Sequence, residues 1–235
     1  MKMRFLKKLL TFILFVVAVT NIYSQDLVRF YQNAKCGYKD KAGNVIVQPI
    51  YYAGSEFKDG MALIVDNNKR GFINTKGAVV IPFIYDDASM FFDGLARVTI
   101  NKKNGYINKL GKVVIPLTYD FADDFHDGIA RVSINNKYGF IGVGGKFIIP
   151  AEYENARNLS EGLIAVKKGK WGYVNVFNKT IIPFEYDDAM EFRKGEAIIL
   201  KEKDYFIIDK NNKIIKEVPS HEEEEKEMEE KGRKH

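Results

Sequence analysis

The chain has 235 residues, a formal net charge of +5 and a single cysteine. One cysteine cannot form a disulfide within the chain, so the folded part must be stabilised by packing. The first 24 residues carry four of the positive charges and no acid, which leaves a charge near +1 for the rest. A chain of that charge lacks the basic surface that binds nucleic-acid phosphates, so nucleic acid is excluded as the expected partner.

The N-terminal segment has the layout of a secretory signal peptide. Residues 9–19 form an uncharged apolar run, and Ser24 offers a small residue at a cleavage site. The basic residues before the run are Lys2, Arg4, Lys7 and Lys8. The run is about half as long as a bilayer-spanning helix. We therefore predict that residues 1–24 are removed and that the mature chain, without a membrane span, is secreted, periplasmic or at the outer surface. An uncleaved N-terminal anchor is the alternative.

Internal repeats occupy the chain after the signal segment. Four kinds of marker residue recur in step, each 33 or 34 residues after the previous one. The prolines are Pro49, Pro82, Pro116, Pro150 and Pro183, and the tyrosines after them are Tyr51, Tyr85, Tyr119, Tyr153 and Tyr186. The two sets of glycines are Gly37, Gly71, Gly105, Gly139 and Gly172, and Gly60, Gly94, Gly128, Gly162 and Gly195. Proline and glycine in every unit disfavour helical repeats, and the short β-branched runs indicate strands.

One unit, taken in chain order, predicts about three short antiparallel strands. Residues 105–108 form a strand, residues 108–111 have the Asn and Gly positions of a type I turn, and the next strand ends at Pro116. A polar loop follows, and residues 129–134 alternate apolar and polar, as a half-exposed strand does. Asn135 and Asn136 predict a tight hairpin into the next unit, because Asn tolerates positive φ.

The repeats begin and end with complementary half-units. Residues 27–30 align with residues 129–132, and residues 205–218 align with the opening hairpin of a unit. Such halves can close the ring of a β-propeller, but they also arise where a linear array ends at that phase. Propeller blades usually need about 40 or more residues. We therefore predict an all-β open array of stacked units, with a closed ring of about six units as the alternative.

The C-terminal residues 220–235 leave the repeat pattern. They form a run of glutamates and lysines with almost no apolar side chain. This composition predicts a charged tail that is disordered or a frayed helix.

The run Lys170-Trp171-Gly172-Tyr173-Val174-Asn175, taken with the lattice of prolines, tyrosines and glycines, resembles the WG-repeat family, also called KWG repeats. The resemblance extends over the domain that we assign to residues 25–219. It implies an extracytoplasmic, often bacterial β-repeat scaffold that has no reaction and no cofactor.

This sequence departs from the family pattern at the tryptophan position. The other units hold Cys36, Arg70, Asn104 and Tyr138 there, whereas the glycine that follows persists in all five. We predict that the glycine serves backbone geometry, and that the side chain before it is replaceable and lies at the surface.

No pattern in the sequence predicts a catalytic centre, a metal site or a cofactor. His221 and His235 lie in the tail, and His126 occupies a loop position that varies from unit to unit. The acids recur with the repeat, whereas catalysis needs one asymmetric site, so we expect them to hydrogen-bond turn backbone. The recurring acids include Asp86, Asp120, Glu154 and Asp187.

Residues that do not recur are the better ligand candidates. The recurring tyrosines are expected in the core, whereas exposed single aromatics anchor protein and sugar ligands. The candidate surface consists of Trp171, Tyr138, Arg97, Arg131 and Phe92, with Tyr52 as a further single aromatic. We predict a non-catalytic binding or scaffold module for a protein or peptide partner. Glycan or cell-wall binding through the single aromatics is the alternative.

Overall fold

The computed structural model describes residues 27–218, and all regular secondary structure in that range is β-strand. The strands form six antiparallel sheets, numbered here in chain order, and each strand pairs only with its neighbours in sequence. The predicted signal segment and the charged tail lie outside the described residues. No helix within residues 27–218 is long and apolar enough to cross a membrane.

The first sheet has three strands and each later sheet has four. Sheet 1 contains β1 (Val28–Gln32), β2 (Lys35–Lys39) and β3 (Val45–Tyr51). Sheet 2 contains β4 (Ala53–Gly54), β5 (Met61–Asp66), β6 (Lys69–Asn74) and β7 (Val79–Tyr85). Sheet 3 contains β8 (Asp87–Ala88), β9 (Leu95–Ile100), β10 (Lys103–Asn108) and β11 (Val113–Tyr119). Sheet 4 contains β12 (Phe121–Ala122), β13 (Ile129–Ile134), β14 (Lys137–Gly142) and β15 (Phe147–Tyr153). Sheet 5 contains β16 (Asn155–Ala156), β17 (Leu163–Lys168), β18 (Lys170–Asn175) and β19 (Thr180–Tyr186). Sheet 6 contains β20 (Asp188–Ala189), β21 (Glu196–Lys201), β22 (Asp204–Asp209) and β23 (Ile214–Val218).

The repeat unit is divided between two sheets. One residue, Asp86, separates the last strand of sheet 2 from the first strand of sheet 3, and the same short crossing recurs down the chain. The two-residue strands after these crossings raise the count per unit from the predicted three to four, because two residues are too short to show alternation. No ladder joins sheet 6 to sheet 1 among the described residues, and the open array is confirmed.

The glycine after the tryptophan position allows two strands to approach closely. In sheet 3, Asn104 pairs with Tyr119 while Tyr106 pairs with Ile115, so β11 carries extra residues around Pro116 that bulge. A Cβ on Gly105 would lie 2.6 Å from the Ile115 carbonyl oxygen. The corresponding distances at Gly37, Gly71, Gly139 and Gly172 are 2.6, 2.5, 2.6 and 2.8 Å. The predicted backbone role of this glycine is therefore confirmed.

Sheet 6 is an internal control for this arrangement. It has Phe206 at the glycine position, and β23 contains no proline. Its strands pair Tyr205 with Val218, Phe206 with Glu217 and Ile207 with Lys216, so the bulge at the proline position is absent and one register shift remains, between Ile207 and Ile208. Glycine, proline and bulge are therefore lost together.

The hydrophobic core lies between consecutive sheets. Each of the five core clusters combines buried residues from two neighbouring sheets. Tyr106 of sheet 3 packs on Phe125 of sheet 4 with ring centroids 4.8 Å apart, and its hydroxyl donates to the Asp123 carbonyl at 2.6 Å. Similar ring pairs join Tyr38 to Phe57, Phe72 to Phe91, and Tyr173 to Phe192, each at 4.9 Å. The recurring tyrosines after the prolines are buried, as predicted.

A carboxylate bridge links neighbouring sheets beside this core. Asp120, between sheets 3 and 4, pairs with the Lys103 ammonium of sheet 3 and accepts a hydrogen bond from the Asn135 amide of sheet 4 at 2.8 Å. Asn135 and Asn136 have positive φ, as the predicted hairpin requires. Asp86 and Asp187 form the same bridge, and Glu154 accepts from the Gly169 amide. The expected role of the recurring acids is confirmed.

Charged residues replace core residues at the two ends of the array. Glu196 of sheet 6 stands where sheet 5 has the buried Leu163, and Lys216 stands where it has the buried Ile182. At the other end, Lys39 of sheet 1 takes the place of a buried isoleucine. Polar outer faces are typical of the capping units of open repeat arrays.

We expect Gly105→Ala to destabilise the fold by about 1–3 kcal/mol, because the new Cβ would be forced against the Ile115 carbonyl oxygen. Urea denaturation measures the free energy of unfolding. Gly144→Ala is the matched control, since a Cβ there meets no atom within 4 Å. Equal stability of the two variants would contradict this account of the glycine.

We expect Asp187→Asn to lower the melting temperature at neutral pH but not in acid. Lys170 and the Glu202 amide hold the pKa of Asp187 below its ordinary value of 3.8. A lowered folded-state pKa stabilises the protein above the unfolded pKa, and this contribution is lost as the pH falls through the folded pKa. Melting curves at about pH 7 and about pH 2 should therefore separate the variant from the wild type only at the higher pH. Asp204→Asn, at an exposed acid outside the bridges, is the control that should show no difference at either pH.

Candidate functional site

The tryptophan position is buried, which corrects the prediction that it lies at the surface. Trp171 is 6% exposed, and Cys36 and Asn104 are also buried. The reason is its place in the ladder: Trp171 pairs with the buried Tyr186, in the cluster between sheets 5 and 6. Only Arg70 and Tyr138 are half-buried at this position. Substitution is tolerated there because each junction between sheets fills the space differently.

Arg97 and Arg131 bridge sheets. Arg131 of sheet 4 donates to the Ala156 carbonyl of sheet 5, and its Nε lies 2.9 Å from Asp123 Oδ2. Arg97 of sheet 3 lies 2.9 Å from Asp87 Oδ2 in its own sheet, and its Nε is 3.8 Å from Asp124 Oδ1 in the next. Both guanidinium groups are thus already matched by carboxylates within the protein.

Every one of the five junctions has one such arginine. Arg29 donates to the Gly54 carbonyl, Arg70 pairs with Asp87, and Arg157 pairs with Asp188. At the first, third and fourth junctions, the arginine occupies the same strand position of the unit. At the second and fifth junctions this position holds Leu63 and Ala165, and the arginine comes from another position. We call Arg29, Arg70, Arg97, Arg131 and Arg157 the arginine band. Sequence reasoning did not group Arg70 and Arg157 with the others, because they occupy different positions of the unit from Arg29, Arg97 and Arg131.

Two of the single aromatics lie on the arginine band. The Arg131 guanidinium is 5.9 Å from the Tyr138 ring and 5.3 Å from the Phe121 ring. The Arg157 guanidinium is 5.1 Å from the Trp171 ring. These cation–π contacts lie within the protein, so they fix in place the two rings that were predicted as ligand anchors.

A cavity of about 310 Å³ opens beside the band between sheets 3 and 4. It appears where Asn104 takes the place of an aromatic side chain, and Arg97, Phe121, Asp123 and Asp124 line it. Asp124 Oδ1 is buried there without a hydrogen-bond partner among the described residues. The described residues contain no group of three or more His, Cys, Asp or Glu side chains placed to hold a metal ion.

Phe92 lies apart from the other candidates. It occupies a loop between the Lys58 ammonium, 3.9 Å from its ring, and the His126 ring at 5.4 Å. These three residues are equivalent positions of successive units. The structure therefore separates Phe92 from Arg97, Arg131, Tyr138 and Trp171.

The last strand of each sheet carries an exposed apolar surface. These segments were predicted as strands, but their exposure was not predicted. Each sheet ends in a strand with one free edge, and near the start of each such strand lie one or two aliphatic or aromatic residues that are 37–50% exposed. We call these residues the aliphatic stripe: Val45, Val79, Val80, Val113, Val114, Phe147, Ile148, Ile181, Ile214 and Ile215. A Cβ on Gly77, in the turn before Val79, would lie 2.8 Å from the Val47 side chain, so the turn that precedes β7 lies against β3. The sequence did contain a signal for this exposure, because three consecutive β-branched residues of a strand cannot all point into one core.

Comparison with known proteins gives a family and distant structural neighbours. No protein of curated function matches the chain in sequence. A crystal structure of a eukaryotic initiation factor matches with 11% identity and a TM-score of 0.47, covering 81% of this chain and 72% of that one. Hsv2 of Kluyveromyces lactis matches with 7% identity and a TM-score of 0.45, covering 80% and 72%. PorZ of Porphyromonas gingivalis matches with 8% identity and a TM-score of 0.38, covering 84% of this chain and 31% of that one.

The family comparison covers most of the repeat array. The family described as "WG containing repeat" matches residues 37–69, 71–103, 105–138, 138–170 and 171–213. These five consecutive matches follow the same lattice as the glycines and the bulges. The chain therefore belongs to the family of proteins with WG-containing repeats.

Proposed function

We propose that this protein is a non-catalytic scaffold that binds a protein partner along the aliphatic stripe. The exposure of the stripe in all six sheets is the observation that carries the proposal. Soluble proteins rarely leave long contiguous apolar surface in water unless it is a binding site. The stripe also lies on edge strands, whose free backbone groups can pair with a strand of another chain.

The other surfaces support a protein partner over a glycan. Sugar binding uses exposed aromatic rings, and of the single aromatics predicted as anchors Trp171 is buried and Tyr138 is half-buried beside Arg131, whereas Tyr52 is exposed. The arginines of the band are matched by internal acids and carbonyl groups. The stripe is exposed and almost wholly aliphatic, which suits an apolar protein surface.

We further propose that the protein acts outside the cytoplasm. This proposal rests on the signal-like residues 1–24. We expect N-terminal sequencing of the protein from its native host to begin at Gln25, in the extracellular or envelope fraction. An intact Met1 in the cytoplasmic fraction would contradict it.

We expect a variant with Val80→Thr, Val114→Thr, Ile148→Thr and Ile181→Thr to lose partner binding. Threonine keeps the strand propensity, but each change removes apolar area worth about 0.8 kcal/mol when buried, and the four changes together weaken binding roughly 200-fold. Cross-linking in envelope extract identifies the partner, and titration with the purified partner gives the dissociation constant.

The control for this experiment is the pair Ile84→Thr and Val143→Thr, which changes residues of similar exposure outside the stripe. It should bind as the wild type does. Equal binding by the stripe variant, or saturable quenching of Trp171 fluorescence by a soluble glycan, would overturn the assignment of the stripe.

A further inference from the structure

The first junction of the array lacks the acid of the carboxylate bridge. Tyr52 stands between sheets 1 and 2 at the position that Asp86, Asp120, Glu154 and Asp187 occupy at the later junctions. Its side chain is exposed and the residue is 68% accessible. The connection between sheets 1 and 2 therefore supplies no carboxylate to this bridge position.

The lysine and the backbone amide that would bind the missing acid are both present. Lys35 corresponds to Lys69, Lys103 and Lys170, which pair with the acid at three later junctions. Lys35 makes no ion pair among residues 27–218. Asn67 begins the hairpin turn that corresponds to those beginning at Asn101 and Asn135, whose amides donate to Asp86 and Asp120 at 2.8 Å. No side chain within residues 27–218 accepts from the Asn67 amide.

We infer that the Lys35–Asn67 site binds a carboxylate supplied by an acidic peptide segment of the protein partner, an inference that rests on the proposed function. The later junctions provide the template, since the same two donors hold a carboxylate of the chain itself. An ammonium and a backbone amide together make charge-assisted hydrogen bonds to such a group. The pKa of Asp86 and of Asp120 is lowered by these donors, the lysine first, so the position favours the anion.

Two exposed aromatic residues belong to the elements that form this junction. Tyr31, on the strand next to Lys35, is 53% accessible, and Tyr52 is more exposed still. Tyrosines at such positions supply rigid contact area for a peptide. A single carboxylate on two donors binds weakly, so we expect these rings to supply much of the affinity.

Neighbouring charges tune the site. Asp66 precedes Asn67, accepts from its side-chain amide at 3.2 Å, and weakens the attraction for an anion. Lys69 is paired with Asp86, and Arg29 with Glu56, so these cations add little. Asp66→Asn should therefore strengthen carboxylate binding.

The test is a titration of the isotope-labelled protein, followed by amide chemical shifts in NMR spectra. The probe is the capped peptide acetyl-Gly-Glu-Gly-amide, and acetyl-Gly-Gly with a free C-terminus is the second probe. We expect a saturable shift of the Asn67 amide, while the Asn101 and Asn135 amides, whose acceptor positions are filled, stay unchanged. The probe that binds more tightly identifies the source of the carboxylate as a side chain or a chain terminus.

Tyr52→Asp is the decisive variant, because it supplies the missing acid from within the chain. We expect it to abolish the peptide-induced shift of Asn67 and to raise the melting temperature. Tyr52→Phe is the matched control that should keep the shift. Peptide binding by Tyr52→Asp equal to that of the wild type, or an Asn67 response no larger than that of Asn101, would overturn the inference. The titration needs no partner and leaves the stripe untouched, so its failure is distinct from failure of the proposed function.

Discussion

At four of the five junctions, an aromatic ring of one sheet packs on a ring of the next, and these contacts hold the structure together. A sheet of three or four short strands cannot bury both of its faces alone. The Tyr106 ring reaches Phe125 across the junction, and its hydroxyl is satisfied on the Asp123 carbonyl, so the contact is both apolar and oriented. The glycine before Tyr106 and the bulge at Pro116 bring the two strands close enough to aim that ring. The arginine band at every junction and the carboxylate bridges at the last four then fix the edges of the junctions.

The lattice of glycines, prolines and tyrosines carried enough information to predict strands, turns and an open array. These residues constrain the backbone directly, through φ, through the missing amide hydrogen and through the missing Cβ. The two-residue strands escaped prediction because two residues are too short to show the alternation of a strand. Sequence alone could not place Trp171, since a single aromatic residue fits equally well in a junction or on a surface.

The candidate surfaces were harder to predict than the fold for a physical reason. Arg97 and Arg131 were both predicted as ligand-surface residues, but each also has a partner on the next sheet, which only the three-dimensional arrangement brings near. The aliphatic stripe consists of the most strand-like residues of the chain, so the same pattern that predicted the strands concealed their exposure. Comparing equivalent positions of the units was most informative where one unit departs from its neighbours, as at Asn104 beside the cavity.

The division of each unit between two sheets has a consequence for how such a chain can change length. A tandem duplication or excision of one 34-residue segment in the gene joins the first part of one sheet to the remaining part of another. Because the sheets share one geometry, the result is one complete sheet and one complete junction more or fewer, wherever the breakpoint falls. Neither terminus is altered by such an event. Such recombination is therefore tolerated at any position within the unit, and selection can lengthen or shorten the array by whole units.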